Sequence, residues 1–585
     1  MKQFLKFFTA SCLGTFLALF ALFVVVLIAG AALLAYSFEK ESAKQPERNS
    51  VLRLNLVGQL EERRSEDYYA MLFDETSLPT IGLNEVLQAV RNAADDEKVN
   101  GIYVNCGVFS SGMSSARAIR QALLDFKKSG KFVVAYGGMY TQTTYYIASA
   151  ADKVILNPVG MVDWRGLSSS LFFYKNLLDK VGVEVELVKV GKFKSFAEKY
   201  TNTTISPENE YQTEQYLNSI WHTMCEDVSL SRSASVKDLE VLADSAATFL
   251  RADTLRRCGL VDTLLYEKEA LDWLAEMNGV DKAADLKFVS VSQMQGQAQG
   301  DSPKIAVVYA VGSIDDGVSA STEGINSEKM SRLLDKIAEN DEVKGVVLRI
   351  NSPGGSAYGA EQIWKSVERL RMKKPVVVSM GDYAASGGYY IACAADRIIA
   401  DPTTITGSIG IFGVIPNFAG LMDKVGVSQV TIKTNDKSDM VSGMRSFTPA
   451  ERALMQSYVE EGYRLFVKRC ADGRYMSVQE IEEIAEGRVW TGEMAKKIGL
   501  VDELGGLQDA VKVVADRCML TDYQICEYPE QDDMMTRFMR TLESDVRTSL
   551  LKKSMGDNYV HYKAVEDLKS MQGVQALLPV NVIIR

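Results

Sequence analysis

"GDYAASGGYYIACAADRIIADPTTITGSIG" occupies residues 381–410, and "GGMYTQTTYYIASAADKVILNPVGMVDWRG" occupies residues 137–166. From Tyr145-Tyr146-Ile147 to Tyr389-Tyr390-Ile391 is a step of 244 residues. The same step carries Val99-x-Gly101 onto Val343-x-Gly345, Pro158 onto Pro402, and "DKVGV" at 179–183 onto "DKVGV" at 423–427. A gap-free register of that length marks two copies of one domain. At the edges the register drifts, with Gly58 facing Gly312 at a step of 254, and "GLVD" at 259 facing "GLVD" at 499 at a step of 240. Loops absorb insertions more readily than packed elements do, so the drift belongs there.

The polar, Gly/Gln-rich stretch "SQMQGQAQGDSPK" at 292–304 has linker composition. The expected organisation is an N-terminal segment 1–45, a first repeat 46–292, a linker 293–302, a second repeat 303–520 and an extension 521–585. Within the second copy, "GVVLRI" (345–350) and "PVVVSM" (375–380) read as buried strands, and "GAEQIWKSVERLR" from Gly359 reads as an amphipathic helix. Strands alternating with helices predict an α/β fold with a largely parallel sheet.

No charged residue occurs between Lys6 and Glu39. An apolar run of this length exceeds the roughly 20 residues needed to cross a bilayer and the roughly 7 to 15 of a cleaved signal peptide. It predicts one membrane anchor over about 7–38. Lys2 and Lys6 place the N-terminus in the cytoplasm, against a weaker pull from Lys40, Lys44 and Arg48, so the domains are expected on the extracytoplasmic side. A net charge of −11 argues against a nucleic-acid partner. The eight cysteines form no metal-ligand spacing, and two histidines, His222 and His561, make a Ser-His-Asp triad or a zinc site improbable. No metal or cofactor is expected.

"PVVVSMGDYAAS" runs into "GGYYIACAADR", which puts Ser386 at a strand-to-helix corner. A serine there, ahead of Gly387-Gly388, is expected to be exposed and open to close backbone approach, as at a nucleophile elbow without its G-x-S-x-G sequence. The loop "NSPGGSAYG" follows the preceding strand, and a backbone N–H of Gly354 or Gly355, with that of Gly387, could line an oxyanion hole. A turn serine is the commoner reading of "ASGG" alone; the "SPGG" loop shifts the balance toward chemistry.

Ser386 needs a base. With histidine scarce, a lysine whose pKa burial lowers from about 10.4 to about 7 or 8 can serve. Candidates lie in "VKVGKFKSFAEKY" (188–200), where alternation predicts Lys192 and Lys194 on one face of a strand, and spacing does not separate them.

Together the N-terminal anchor, the tandem repeat, "NSPGGSAYG", "GDYAASGGYYIA", "DPTTITGSIGIFG" and "VGKFKSFAEKY" resemble the signal peptide peptidase A (protease IV) family in its long, double-domain form, over essentially the whole chain. The resemblance implies a tandem repeat of Clp-protease/crotonase-like ββα superhelix domains. It implies a Ser-Lys dyad with Ser386 as nucleophile and Lys194 as base, Ser408 orienting the lysine, and Gly354 or Gly355 with Gly387 as oxyanion donors. It further implies remnant signal peptides as substrates and a homotetramer at the cytoplasmic membrane. A crotonase-like acyl-CoA enzyme and a non-catalytic membrane scaffold are the rival readings; the anchor speaks against the first. The first copy has Gln142 where the second has Ser386, and the second has Ser438 where the first has Lys194. Neither copy is complete alone, so one composite site per chain is expected.

Overall fold

The computed structural model describes residues 45–64, 79–295, 302–317, 324–530 and 574–578, with scattered residues of the N-terminal segment and of 554–562. Most of the expected membrane span, linker and C-terminal extension lies outside these. Among the described residues no helix is long and apolar enough to cross a membrane.

The first half builds a parallel sheet from β1 (Ser50–Glu61), β2 (Val99–Ser110), β3 (Phe132–Tyr140) and β4 (Lys153–Val162), paired in that order. Crossovers run through α1 (Leu83–Asp95), α2 (Met113–Lys127) and α3 (Gln142–Ala148). Val51, Leu52, Ile102, Tyr103, Val133, Val134, Val154 and Ile155 are all buried, the two-faced burial expected of a parallel sheet covered on both sides. On α1 the buried Leu83, Val86, Leu87 and Val90 follow helical spacing, so one stripe meets the core. β5 (Glu184–Val190) and the long helix α4 (Pro207–Ser231) follow, and the half closes with shorter elements, of which Thr263–Leu264 and Lys287–Val289 join the sheet.

The second half repeats the plan: β6 (Lys304–Val311), α5 (Ser327–Glu339), β7 (Val343–Ser352), a short β8 (Gly354–Ser356), α6 (Ala357–Arg371), β9 (Val376–Ala385) and α7 (Gly387–Ala392). The starts of α1, β2, α2 and β3 at 83, 99, 113 and 132 recur at 327, 343, 357 and 376, each 244 residues on. After α7 come β10 (Ile405–Gly407), β11 (Ile411–Asn417) and α8 (Pro449–Arg474). The sheet runs past residue 520, the expected edge of the repeat, because Gln524–Tyr528 adds a parallel strand to β6.

A third sheet joins the halves. β5 leaves the first half and pairs antiparallel with β11 from Ile411↔Val190 to Asn417↔Glu184. On its other edge β11 meets β12 (Val574–Leu577), which also pairs antiparallel with β8. Phe196 stacks on Phe412 with centroids 5.3 Å apart, and Leu178, Val183, Ala197 and Val414 complete that small core.

Polar contacts also cross the junction. Asp382 of the second half accepts from Ser115 N–H (3.0 Å) and Ser115 Oγ (2.6 Å), so it caps the first turn of α2. Glu62, just past β1, takes Arg349 in a two-pronged pair, with Nε at 2.9 Å and Nη2 at 3.0 Å, and both side chains are 4% exposed. Removing one partner of such a pair strands the other as a buried charge. Glu62→Ala is therefore expected to cost about 3–5 kcal/mol, whereas Glu62→Ala with Arg349→Met recovers most of it. Denaturant midpoints of the two single variants and the double variant measure this.

Candidate active site

Ser386 sits where β9 turns into α7, with φ 57° and ψ −114°. Positive φ on a non-glycine residue is strained, and corners of this kind aim a nucleophile away from the sheet. Its N–H donates to Gly407 O at 2.8 Å, which ties the corner to the "TITGS" strand. The helix that follows is six residues long, shorter than "GGYYIACAADR" suggested, because "CAADR" turns into the next strand, Arg397–Ala400.

Lys194 arrives from the other half. Contrary to the sequence reading, it does not lie on a strand: β5 ends at Val190, and residues 191–195 form a turn. Gly191, at φ +100°, breaks the ladder, and Phe193 N–H then donates to Glu486 O at 3.0 Å. The turn sends the two lysines opposite ways. The Lys192 side chain is 59% exposed and pairs with Glu486 at 2.9 Å, whereas Lys194 is 1% exposed. Its passage is narrow, since a Cβ on Gly487 would stand 2.7 Å from Lys194 Cβ.

Lys194 Nζ lies 2.7 Å from Ser386 Oγ and 3.0 Å from both the carbonyl and the Oγ of Ser408. Among the described residues no carboxylate pairs with it. Burial therefore pushes its amine well below the usual lysine range, with nothing to pull it back. A neutral amine in contact with a serine hydroxyl can take its proton.

Of the two candidate loop glycines, Gly354 uses its N–H on Ser352 Oγ at 3.2 Å. Gly355 N lies 3.1 Å from where a Cβ of Gly387 would be, so the N–H groups of Gly355 and Gly387 are the neighbouring pair. His222 is exposed on α4 beside Glu226, and His561 lies outside the described residues. Ser386 itself is 0% exposed rather than open, because the strand β12 lies against the glycines beside it.

Sequence reading missed the residue that holds the lysine turn. Gln212, buried on the second turn of α4, donates through Nε2 to Phe193 O (3.1 Å) and Ser195 Oγ (3.2 Å), on either side of Lys194. Its Oε1 accepts from Val489 N–H, on the strand that pairs with β10. Glu198 fixes the start of α4 by accepting from Ser206 Oγ (2.6 Å) and Asn209 Nδ2 (3.2 Å). No motif marks Gln212; a buried amide on a polar helix was the only available signal.

In the first copy the matching corner is plugged. Gln142 is 2% exposed, accepts from the N–H groups of Arg165 and Gly166 at 3.1 Å, and donates to Gly166 O at 3.1 Å.

Known proteins carry the same arrangement of domains. The sequence profile of Peptidase family S49 matches twice, at residues 125–281 and 368–521. Protease 4 of Salmonella typhi is 32% identical over 90% of this chain and 88% of its own length. A chloroplastic serine protease of Arabidopsis thaliana is 31% identical over 80% of this chain and 69% of its own. A protein of Enterococcus faecium that carries the name signal peptide peptidase is 37% identical over 36% of this chain and 61% of its own. Among solved structures, a ClpP1 mutant from Listeria monocytogenes aligns over 35% of this chain and 94% of its own at 16% identity, with a TM-score of 0.24, too low to bear on the fold. With two profile matches over more than half its length and a full-length relative above 30% identity, the chain belongs to Peptidase family S49, in the double-domain protease IV form, and is a serine peptidase.

Proposed function

We propose that the chain is a membrane-anchored endopeptidase that uses Ser386 as nucleophile and Lys194 as general base to degrade signal peptides left in the cytoplasmic membrane. The observation that carries the dyad is the 2.7 Å contact between Ser386 Oγ and an amine buried without a countercharge. Neutral Lys194 takes the hydroxyl proton as Oγ adds to a peptide carbonyl carbon. The N–H groups of Gly355 and Gly387 hold the oxyanion, and the lysine ammonium protonates the departing amine. Water, deprotonated by Lys194, then releases the acyl group from Ser386. Ser408 holds the amine through its carbonyl and hydroxyl, which leaves the Nζ lone pair facing Ser386.

The substrate class rests on the uncharged run at 7–38, on the resemblance given above, and on the name of the Enterococcus faecium relative. The expected orientation puts the catalytic half outside the cytoplasm, where cleaved signal peptides are accessible. A Clp-protease-like superhelix for each repeat belongs to the same reading.

The internal repeat also supports a homo-oligomer. Shifted by 244, the β5/β11 pair predicts that 428–434 should pair with 167–173. Within one chain both segments lack secondary structure, and Val430 and Ile432, on alternate positions of "SQVTIKT", are 87% and 95% exposed. Residues 428–434 of one copy facing 167–173 of the next make a head-to-tail contact of the kind that closes into rings, and four copies is the number that the resemblance implies.

A fluorophosphonate probe should label Ser386. Ser386→Ala and Lys194→Ala should each lower kcat/KM on a peptide substrate by about 10³-fold or more, while Lys192→Ala stays near wild type. Activity should rise with pH as Lys194 loses its proton, and a flat profile would remove lysine as the base. An unlabelled Ser386 in folded protein that also fails to hydrolyse peptides would favour the scaffold reading.

The buried amine has a stability signature as well. Unfolded, Lys194 binds a proton up to about pH 10.4; folded, it releases it at lower pH. Between those two points the unfolded chain holds more protons, so stability rises with pH by about 1.4 kcal/mol per unit. Lys194→Met should therefore be more stable than wild type at neutral pH, by a margin that narrows as pH approaches 10; denaturant titrations at several pH values read this out. For the assembly, Ile432→Lys should reduce the particle mass measured by light scattering.

A further inference from the structure

The Gln212 side chain is 1% exposed, and both ends of its amide are engaged. Nε2 faces three acceptors, Phe193 O (3.1 Å), Ser195 Oγ (3.2 Å) and Asn209 Oδ1 (3.0 Å), and Oε1 accepts from the Val489 N–H (3.2 Å). Turning the amide over would set Oε1 against the Phe193 carbonyl and Nε2 against the Val489 N–H, so its orientation is fixed. Asn209 is fixed in turn, because its Nδ2 donates to Glu198 at 3.2 Å and that leaves Oδ1 for Gln212.

From Val489 the bonds lead back to the amine. Val489 lies opposite Gly407, on the strand that pairs with β10. Gly407 O takes the Ser386 N–H at 2.8 Å, and Arg488 O, one residue before Val489, takes the Ser408 N–H at 2.7 Å. Ser408 then meets Lys194 Nζ through its carbonyl and its hydroxyl, each at 3.0 Å. The bonds close a ring. It leaves the chain on either side of Lys194, crosses the junction through Gln212, and returns to the tip of the same lysine. The Arg488 guanidinium lies over the Phe193 ring, 5.3 Å from its centroid, and draws the same two pieces together.

We infer that Gln212 is a positioning residue for the proton transfer: it sets the separation between the Lys194 turn and residues 488–489, and so aims Nζ at Ser386 Oγ. The inference rests on the Ser386-Lys194 reading. The bonds of Gln212 reach neither Ser386 Oγ nor Lys194 Nζ, so it acts through the distance and angle between them. Rates are sensitive to both, and a misplacement of about 1 Å can cost about 10²-fold.

Steady-state kinetics on a peptide substrate, with fluorophosphonate labelling of the same full-length proteins, test this on wild type, Gln212→Met, Gln212→Glu and Lys194→Ala. Gln212→Met keeps the length of the side chain without its hydrogen bonds. It should lower kcat by about 10- to 100-fold with KM within about twofold, and label to the wild-type extent at a slower rate. Gln212→Glu keeps the acceptor for the Val489 N–H and puts a carboxylate oxygen where the Nε2 donor stood. An anion beside the turn favours the ammonium form of Lys194, so the rising limb of the pH–rate profile should move up by about one unit. The charged groups already around the turn are Lys189, which donates to Lys194 O, Lys192 with Glu486, Glu198, and Arg488; they are the same in both proteins and do not produce that shift. Wild-type kcat in Gln212→Met, or a loss carried by KM, overturns the inference. Fewer labelled sites with unchanged kcat per labelled site overturns it as well, since that is a purely structural role, and so does a limb that Gln212→Glu leaves in place. Lys194→Ala separates the two readings. If it retains turnover, the dyad itself falls; if it is inactive while Gln212→Met turns over like wild type, Gln212 alone loses its role.

Discussion

The antiparallel ladder between Glu184–Val190 and Ile411–Asn417 is the constraint on which the site depends. Ser386 belongs to one copy of the repeat and Lys194 to the other, and they lie 192 residues apart in sequence. Only a strand that leaves its own half and docks on the other can deliver the lysine. The ladder fixes where β5 ends, Gly191 starts the turn there, and three residues later Lys194 Nζ meets Ser386 Oγ. Because successive side chains in a strand face opposite ways, a slip of one residue along β11 would turn each β5 side chain to the wrong face. The packing of Leu187 and Val185 beside Phe412 and Val414 opposes such a slip.

Delivering an amine this way is costly. A lysine loses its hydration when buried, and with no carboxylate among the described residues near Nζ, the neutral form is the one the fold tolerates. Three oxygen contacts satisfy it without adding charge. The surroundings hold it in place: Gln212 grips the turn on both sides of Lys194, Glu486 O takes Phe193 N–H, and Gly487 packs so close to Lys194 that a Cβ there would clash. Across the junction, charge is handled differently. Glu62 with Arg349 and Arg117 with Asp401 are paired ions, which join the halves and stay away from the amine. The ions that cross the junction are paired, and the Lys194 amine, proposed as the base, is left with uncharged neighbours.

Much of the fold is legible in the sequence because the repeat is a local signal copied twice. The strands at 345–350 and 375–380, the helix following Gly359 and the corner at Ser386 follow from periodicity and turn chemistry within windows of about 15 residues. Lys192 and Lys194 could not be told apart by spacing. What separates them is burial, set by a turn that the pattern "VKVGKFKS" reads equally well as continuing strand. Gln212 was invisible for a related reason: its partners Phe193 and Ser195 sit 19 and 17 residues away, and Val489 lies 277 away. The tail strand is also far from its partners in sequence, more than 150 residues from β11, and its short apolar pattern gives no hint of which edge it joins.

β11 carries two registers at once. One edge holds β5 and so places Lys194, the proposed base; the other edge, with β8, holds an extended strand beside the corner of Ser386, the proposed nucleophile. Catalysis needs the carbonyl, the hydroxyl and the amine aligned to within a fraction of an ångström, and separate supports would have to be matched to one another. A single strand that templates both neighbours avoids that matching, since any movement of β11 carries base and peptide together. The duplication explains why such a strand was at hand. Each copy supplies a crossing segment and a receiving edge, but within one chain only the first copy's segment finds the second copy's edge. The other pair, 428–434 and 167–173, forms no strand within the chain, so the junction that brings Lys194 to Ser386 uses one of the two pairings that the repeat allows.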